Sequence, residues 1–136
     1  MDLLINIDVP DLARAVDFYT RAFDLKVTRR FGDGGAELSG LPAKLYLLVK
    51  AEGSIGAASQ PRSYARHWTP VHLDIVVDDV EAALATALAA GAKTEGDVRT
   101  AKWGRIVEIA DPFGNGICLL QFLGRGYDEV SVRVAD

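Results

Sequence analysis

The fold class predicted by this sequence is α+β: two tandem βαβββ modules whose strands form a cup-shaped mixed sheet. Residues 3–9 and 71–77 each alternate apolar with polar side chains, the pattern of a strand with one face on a core and the other open. Each stretch runs at once into acidic residues and an apolar pattern of helical period. The two stretches also match in register. Leu4 corresponds to His72, Ile5 to Leu73, Ile7 to Ile75, Val9 to Val77, Asp11 to Asp79 and Ala15 to Ala83, always 68 residues on. A repeat of two copies implies a pseudo-twofold pair rather than a stacked array.

In the first copy, Leu3, Ile5, Ile7 and Val9 form the apolar face of the opening strand, with Leu4, Asn6 and Asp8 opposite. Pro10 and Asp11 open a helix, with Asp11 as N-cap. Leu12, Ala15, Val16, Tyr19, Ala22 and Phe23 make its buried stripe. Strands are expected over residues 26–31, 36–38 and 44–49, separated by glycine-rich and Gly/Pro turns.

Residues 51–70 sustain no period and are punctuated by Gly53, Gly56, Pro61 and Pro70. They read as a connector lying over the protein, because Tyr64 and Trp68 favour cover. The second copy then repeats the pattern. After the strand at 71–77, Asp78-Asp79-Val80-Glu81 has the form of a capping box closed by Asp78 and Glu81. An Ala-rich helix runs to Gly91, its expected C′ residue. Strands follow over 93–99, 103–110 and 117–122, with Asp111-Pro112-Phe113-Gly114-Asn115-Gly116 as a tight turn. The expected organisation is a single domain over 1–136: module 1 at 1–50, connector 51–70, module 2 at 71–123 and a tail at 124–136. Residues 131–134 alternate like an added strand, with an edge or dimer role.

A chain of 136 residues that is 49% hydrophobic and 25% charged builds an ordinary core and is not disordered. A net charge of −4 without a Lys/Arg run speaks against nucleic acid, whose binding rests on phosphate neutralisation. The single cysteine, Cys118, excludes an internal disulfide. No apolar run is long enough to span a bilayer and no signal peptide is evident, so a cytoplasmic protein that binds neither membrane nor nucleic acid is expected.

His72 and Asp74 share one strand face, and they are the residues where chemistry is most expected. His72 reads either as a metal ligand or general base oriented by Asp74, or as a pocket-wall histidine that bonds a small ligand. Cys118 is either an activated thiol beside His72 or a small buried hydrophobe. Asn6 and Asp8 read as pocket polar groups, with Asp8 alternatively capping the first helix. Tyr46, Trp103 and Phe122 are candidates for an apolar pocket wall.

Several of these pieces also occur together in one known family. Asp11-Leu12 with Phe18-Tyr19, Val76-Val77-Asp78-Asp79-Val80, Gly91-Ala92, Trp103-Gly104-Arg105 and Asp111-Pro112-Phe113-Gly114-Asn115 stand in an order and spacing that resembles the vicinal oxygen chelate superfamily, also called the glyoxalase / bleomycin-resistance / extradiol dioxygenase family. The resemblance spans residues 2–122. It implies paired βαβββ modules forming a cup, often in a homodimer. It also implies four metal-ligand positions on the first and last strands of each module, which fall on Leu4, Tyr46, His72 and Cys118. Of these, His72 is the typical ligand, and leucine cannot coordinate. The expected function is therefore the binding of a small organic molecule in the cup, without metal or other cofactor. His72, Asp74, Asn6, Asp8, Tyr46, Trp103, Cys118 and Phe122 are the expected contacts. The alternative is a divalent-metal-dependent lyase, isomerase or dioxygenase that uses His72.

Overall fold

Both helices begin at an aspartate whose side chain takes up a free backbone N–H. In the computed structural model, which describes residues 1–134, Asp11 is extended (φ −138°, ψ 108°) and its carboxylate accepts from the Arg14 N–H at 3.0 Å. Helix α1 (Leu12–Phe23) follows and ends at Asp24 in the left-handed region. Its buried face is Ala15, Phe18, Tyr19 and Ala22. Phe18 was outside the expected stripe, yet it lies three residues after Ala15 and packs edge-on to Tyr19.

Helix α2 (Val80–Ala90) is capped by Asp79, which accepts from the Ala82 N–H at 3.0 Å. The cap is thus Asp79 rather than Asp78, and the expected capping box on Asp78 and Glu81 is not formed. Glu81 instead pairs with Arg105, and the Gln121 side-chain oxygen accepts the Val80 N–H at 3.1 Å. Gly91 ends α2 at φ 115°, with the Gly91 N–H on the Leu88 carbonyl and the Ala92 N–H on the Ala87 carbonyl. That pair of bonds closes the last turn.

The mixed sheet is divided in two. The first has the order β1 (Leu4–Val9), β4 (Lys44–Val49), β3 (Gly35–Ser39), β2 (Lys26–Arg30), with β1 parallel to β4 and the rest antiparallel. The second has the order β5 (Leu73–Val76), β9 (Gly116–Phe122), β8 (Gly104–Ala110), β6 (Lys93–Thr94), with β5 parallel to β9. The strand expected over 93–99 is split into β6 and β7 (Arg99–Ala101), which both pair with β8. Residues 95–98 exceed the span of β8 between those pairings and loop out. Leu38, Leu45, Leu47, Val107, Ile109, Ile117 and Leu119 turn to the helices and form one core with them.

The tail differs from expectation. Residues 131–134 form no strand, and a 3-10 turn over Gly126–Glu129 precedes them. Tyr127 packs there against Trp103 and Phe122 with ring centroids at 5.3 and 4.9 Å. Ala135 and Asp136, the end of the expected tail, lie outside the described residues.

One buried bond ties the two halves together. The Tyr19 hydroxyl on α1 donates to Asp111 Oδ2 at 2.6 Å in the β8–β9 turn. Asp111 is 3% exposed and also accepts from the Phe113 N–H, the Asn115 N–H and the Asn115 side-chain amide, each at 2.8 Å. A buried carboxylate is stable only when so satisfied. Gly114 in the same turn has φ 86°, and a Cβ there would stand 2.7 Å from the Tyr64 carbonyl, so the connector presses on the turn.

Tyr19→Phe is expected to lower the unfolding free energy by about 1–3 kcal/mol, because it removes a buried bond to a charged acceptor. Burial, then Asp111, push the Tyr19 phenol well above its ordinary value of 10.0. The bond's contribution is therefore full below about pH 10 and is lost as the pH rises toward the folded-state value. Urea denaturation at neutral and at alkaline pH checks both. Equal stability of the two proteins at neutral pH would remove this bond from the account of how the halves are joined.

Candidate functional site

The faces of the two sheets turned away from the helices carry corresponding rows of polar side chains. In the first sheet Asn6 pairs in register with Tyr46, and Tyr46 with Glu37. In the second, Asp74 pairs with Cys118, and Cys118 with Glu108. The register therefore makes Tyr46 the counterpart of Cys118 and extends the repeat to Glu37 and Glu108, which sequence comparison had not matched.

The rows differ chemically. In the first, Tyr46 donates to Glu37 Oε2 at 2.6 Å and Thr28 donates to Glu37 Oε1 at 2.7 Å. These donors hold the Glu37 carboxyl below its ordinary range, and the Tyr46 phenol is raised chiefly by the same bond. In the second row, His72 Nε2 lies 3.2 Å from Asp74 Oδ1, and the Cys118 sulfur completes a group whose ligating atoms all lie within 4.8 Å of one another. Cys118 is 9% exposed. Burial, and then the Asp74 carboxylate, push its thiol up to about 11, so it is protonated near neutrality and is no activated nucleophile.

A pocket of about 230 Å³ opens beside this group, lined by Arg66, Trp68, His72, Ile106, Glu108 and Cys118 among others. Trp68 was expected to find cover, but it is 74% exposed, with its ring centroid 6.0 Å from that of His72. Tyr64 does find cover, and its hydroxyl donates to the Lys50 carbonyl at 2.8 Å. Arg66 reaches Glu95, which fixes the connector at the pocket's rim. Glu108 is paired with Arg99. Trp68, Arg66, Ile106 and Glu108 were not among the expected contacts. A tryptophan in a connector without a sustained period was the signal for the first.

The remaining expected residues scatter. His72 lies one residue before the first ladder position of β5. Asn6 is exposed and lines a separate cavity of about 160 Å³ at the seam between β1 and β5, where His72 also reaches. Asp8 neither caps α1 nor faces a pocket freely: it accepts from Arg62 Nε at 2.6 Å and holds the connector. Tyr46 is engaged with Glu37. Phe122 shares the open face with Cys118 but stands four residues farther along β9, roughly 13 Å at the rise of a strand. It packs with Trp103 around Tyr127, away from His72.

The model of the glyoxalase-like domain matches residues 4–120, nearly the whole of both modules. The chain belongs to this family. Among curated proteins, the glyoxalase-like chain is 32% identical over 114 residues to the uncharacterized protein Mb0911c of Mycobacterium bovis, covering 79% of this chain and 74% of that one. Among solved structures it resembles a glyoxalase/bleomycin resistance protein/dioxygenase family enzyme from Burkholderia phytofirmans, with a TM-score of 0.69, 17% identity and coverage of 90% and 100% of the two chains. It also resembles the fosfomycin resistance protein FosX from Listeria monocytogenes, with a TM-score of 0.67, 14% identity and coverage of 89% and 92%. At these identities the two structures establish the fold.

The four positions at which the family resemblance places metal ligands do not make a ligand set here. Leu4 has no donor atom, and the Tyr46 hydroxyl is held by Glu37. No catalytic step through such a metal is derived.

Tyr46→Phe is expected to destabilise the protein at neutral pH more than at pH 3, because Glu37 is stabilised in its ionised form. A carboxyl held low in the folded state contributes stability above its unfolded value of 4.5, lost as the pH falls through the folded value. Denaturation midpoints of both proteins at the two pH values check this, and an equal loss at both would overturn it.

Proposed function

We propose that this glyoxalase-like protein binds a small organic molecule in the pocket between the connector and the open face of the second sheet. The observation that carries the reading is Trp68. An indole left 74% exposed over an apolar-floored pocket is a surface that gains from being covered. His72, beside it, offers a polar contact, while Ile106 and Cys118 supply the apolar floor. A volume of about 230 Å³ is smaller than the usual pocket for drug-sized ligands, so the occupant is compact and has a flat face to lie on the indole. Its binding requires no ion at the four family positions. The protein is proposed to act as the homodimer that the family resemblance implies, in the cytoplasmic setting expected from the sequence.

Thermal-shift screening of compact aromatic and antibiotic-like compounds, followed by titration of tryptophan fluorescence, tests this reading. Hits are expected to quench fluorescence and to bind Trp68→Ala about tenfold or more weakly, the loss of one well-covered aromatic contact. The variant should unfold at the wild-type midpoint, since Trp68 buries little. Hits that bind Trp68→Ala as tightly as wild type would move the site elsewhere.

A further inference from the structure

The geometry points to an oxyanion site in a second cavity, of about 310 Å³, where the first turn of α1, the end of α2, β6, the β8–β9 turn and the connector meet. Arg14 and Lys93 hold the phosphate or carboxylate group of a small organic acid there. The cavity shares only Arg66 with the pocket under Trp68, and the inference does not rest on the reading of that pocket.

Arg14 stands where local electrostatics disfavour a cation. It is the third residue of α1, and the first turn of a helix carries the positive end of its dipole. No acidic side chain within that turn offsets the charge. The Asp11 carboxylate caps the helix through the Arg14 backbone N–H, and among the described residues no carboxylate pairs with the guanidinium. At the corresponding place in α2 stands Ala82, with Glu81 beside it in the first turn. The repeat therefore does not require a cation there, and a residue set against its local preference is one whose reason lies elsewhere.

The head group is nonetheless fixed. The Arg14 guanidinium carbon lies 5.3 Å from the centroid of the buried Phe113 ring. The ring holds the charge but offers its N–H donors no oxygen. A guanidinium presents those donors as a planar fork that matches an acceptor with two oxygens.

The other charges on the cavity are already matched. Arg66 takes Glu95, with Nη2 donating to Oε2 at 3.0 Å, and Asp111 is buried beneath its four donors. Lys93 opens β6 opposite Ala110, and among the described residues no carboxylate pairs with its ammonium. Two unmatched positive charges thus face one cavity in a chain whose net charge is −4. One oxyanion satisfies both. The volume falls at the lower end for small-molecule pockets, which leaves room for a short carbon skeleton behind the charged group.

The test is a proton–nitrogen-15 NMR titration of the full, untagged chain at neutral pH and fixed ionic strength, with inorganic phosphate in one arm and succinate in the other. Saturable shifts are expected at the Gly91, Lys93 and Gly114 amides, with one anion bound per chain. Arg14→Gln and Lys93→Gln should each weaken binding about tenfold or more, the effect of losing a charge-assisted bond. Both side chains belong to exposed residues, so the variants keep the fold, and their spectra report it directly. Arg30→Gln, which removes an exposed cation from the outer strand of the other sheet, should leave the titration unchanged. Tighter binding of phosphate identifies the occupant as a phosphate ester, and tighter binding of succinate identifies it as a carboxylic acid. Shifts that saturate with neither anion, or saturation that survives both substitutions, would overturn the site and leave Arg14 and Lys93 as solvated charges.

Discussion

The buried bond between Tyr19 and Asp111 is the constraint on which the rest depends. Asp111 sits in the turn between β8 and β9, takes four donors, and one of them comes from the helix of the other module. Without those donors a carboxylate at 3% exposure would be strongly unfavourable. With them it closes the turn and docks α1 on it, directly before β9, the strand that carries Cys118.

Repetition supplies the scaffold, and departure from repetition supplies the chemistry. Both sheets place a first strand parallel to a last one and cover one face with a helix. On the open faces the copies diverge. Tyr46 and Thr28 close on Glu37, so that row satisfies itself, and its carboxylate is already engaged. In the second row Glu108 is drawn off by Arg99, which leaves His72, Asp74 and Cys118 to one another. One module is a polar clamp; the other is an accessible cluster under an exposed indole.

The connector decides which part of the open face becomes a pocket. Arg62 anchors it to Asp8, Tyr64 to the Lys50 carbonyl, and Arg66 to Glu95. Between the last of these anchors and β5, Trp68 is left over His72. Residues that read in sequence as an unpatterned linker therefore carry one wall of the candidate site. Asp8, which read as a pocket residue, serves to hold that linker in place.

The sequence by itself determined the α+β class, the two-copy organisation, most strand bounds and the pairing of His72 with Asp74 on one face. Each of these rests on local physics: side-chain alternation, helical period, capping and turn chemistry all act within a few residues. It did not determine that Cys118 completes that pair, that Glu37 takes the Tyr46 hydroxyl, or that Trp103 and Phe122 gather around Tyr127 rather than near His72. Nor did it place Trp68 over the site. Those outcomes depend on strand register and on where a long connector is pinned. Both are decided by contacts between residues far apart in the chain, such as Tyr19 with Asp111 and Arg62 with Asp8. Local pattern carries no record of such contacts, so only the tertiary structure could settle them.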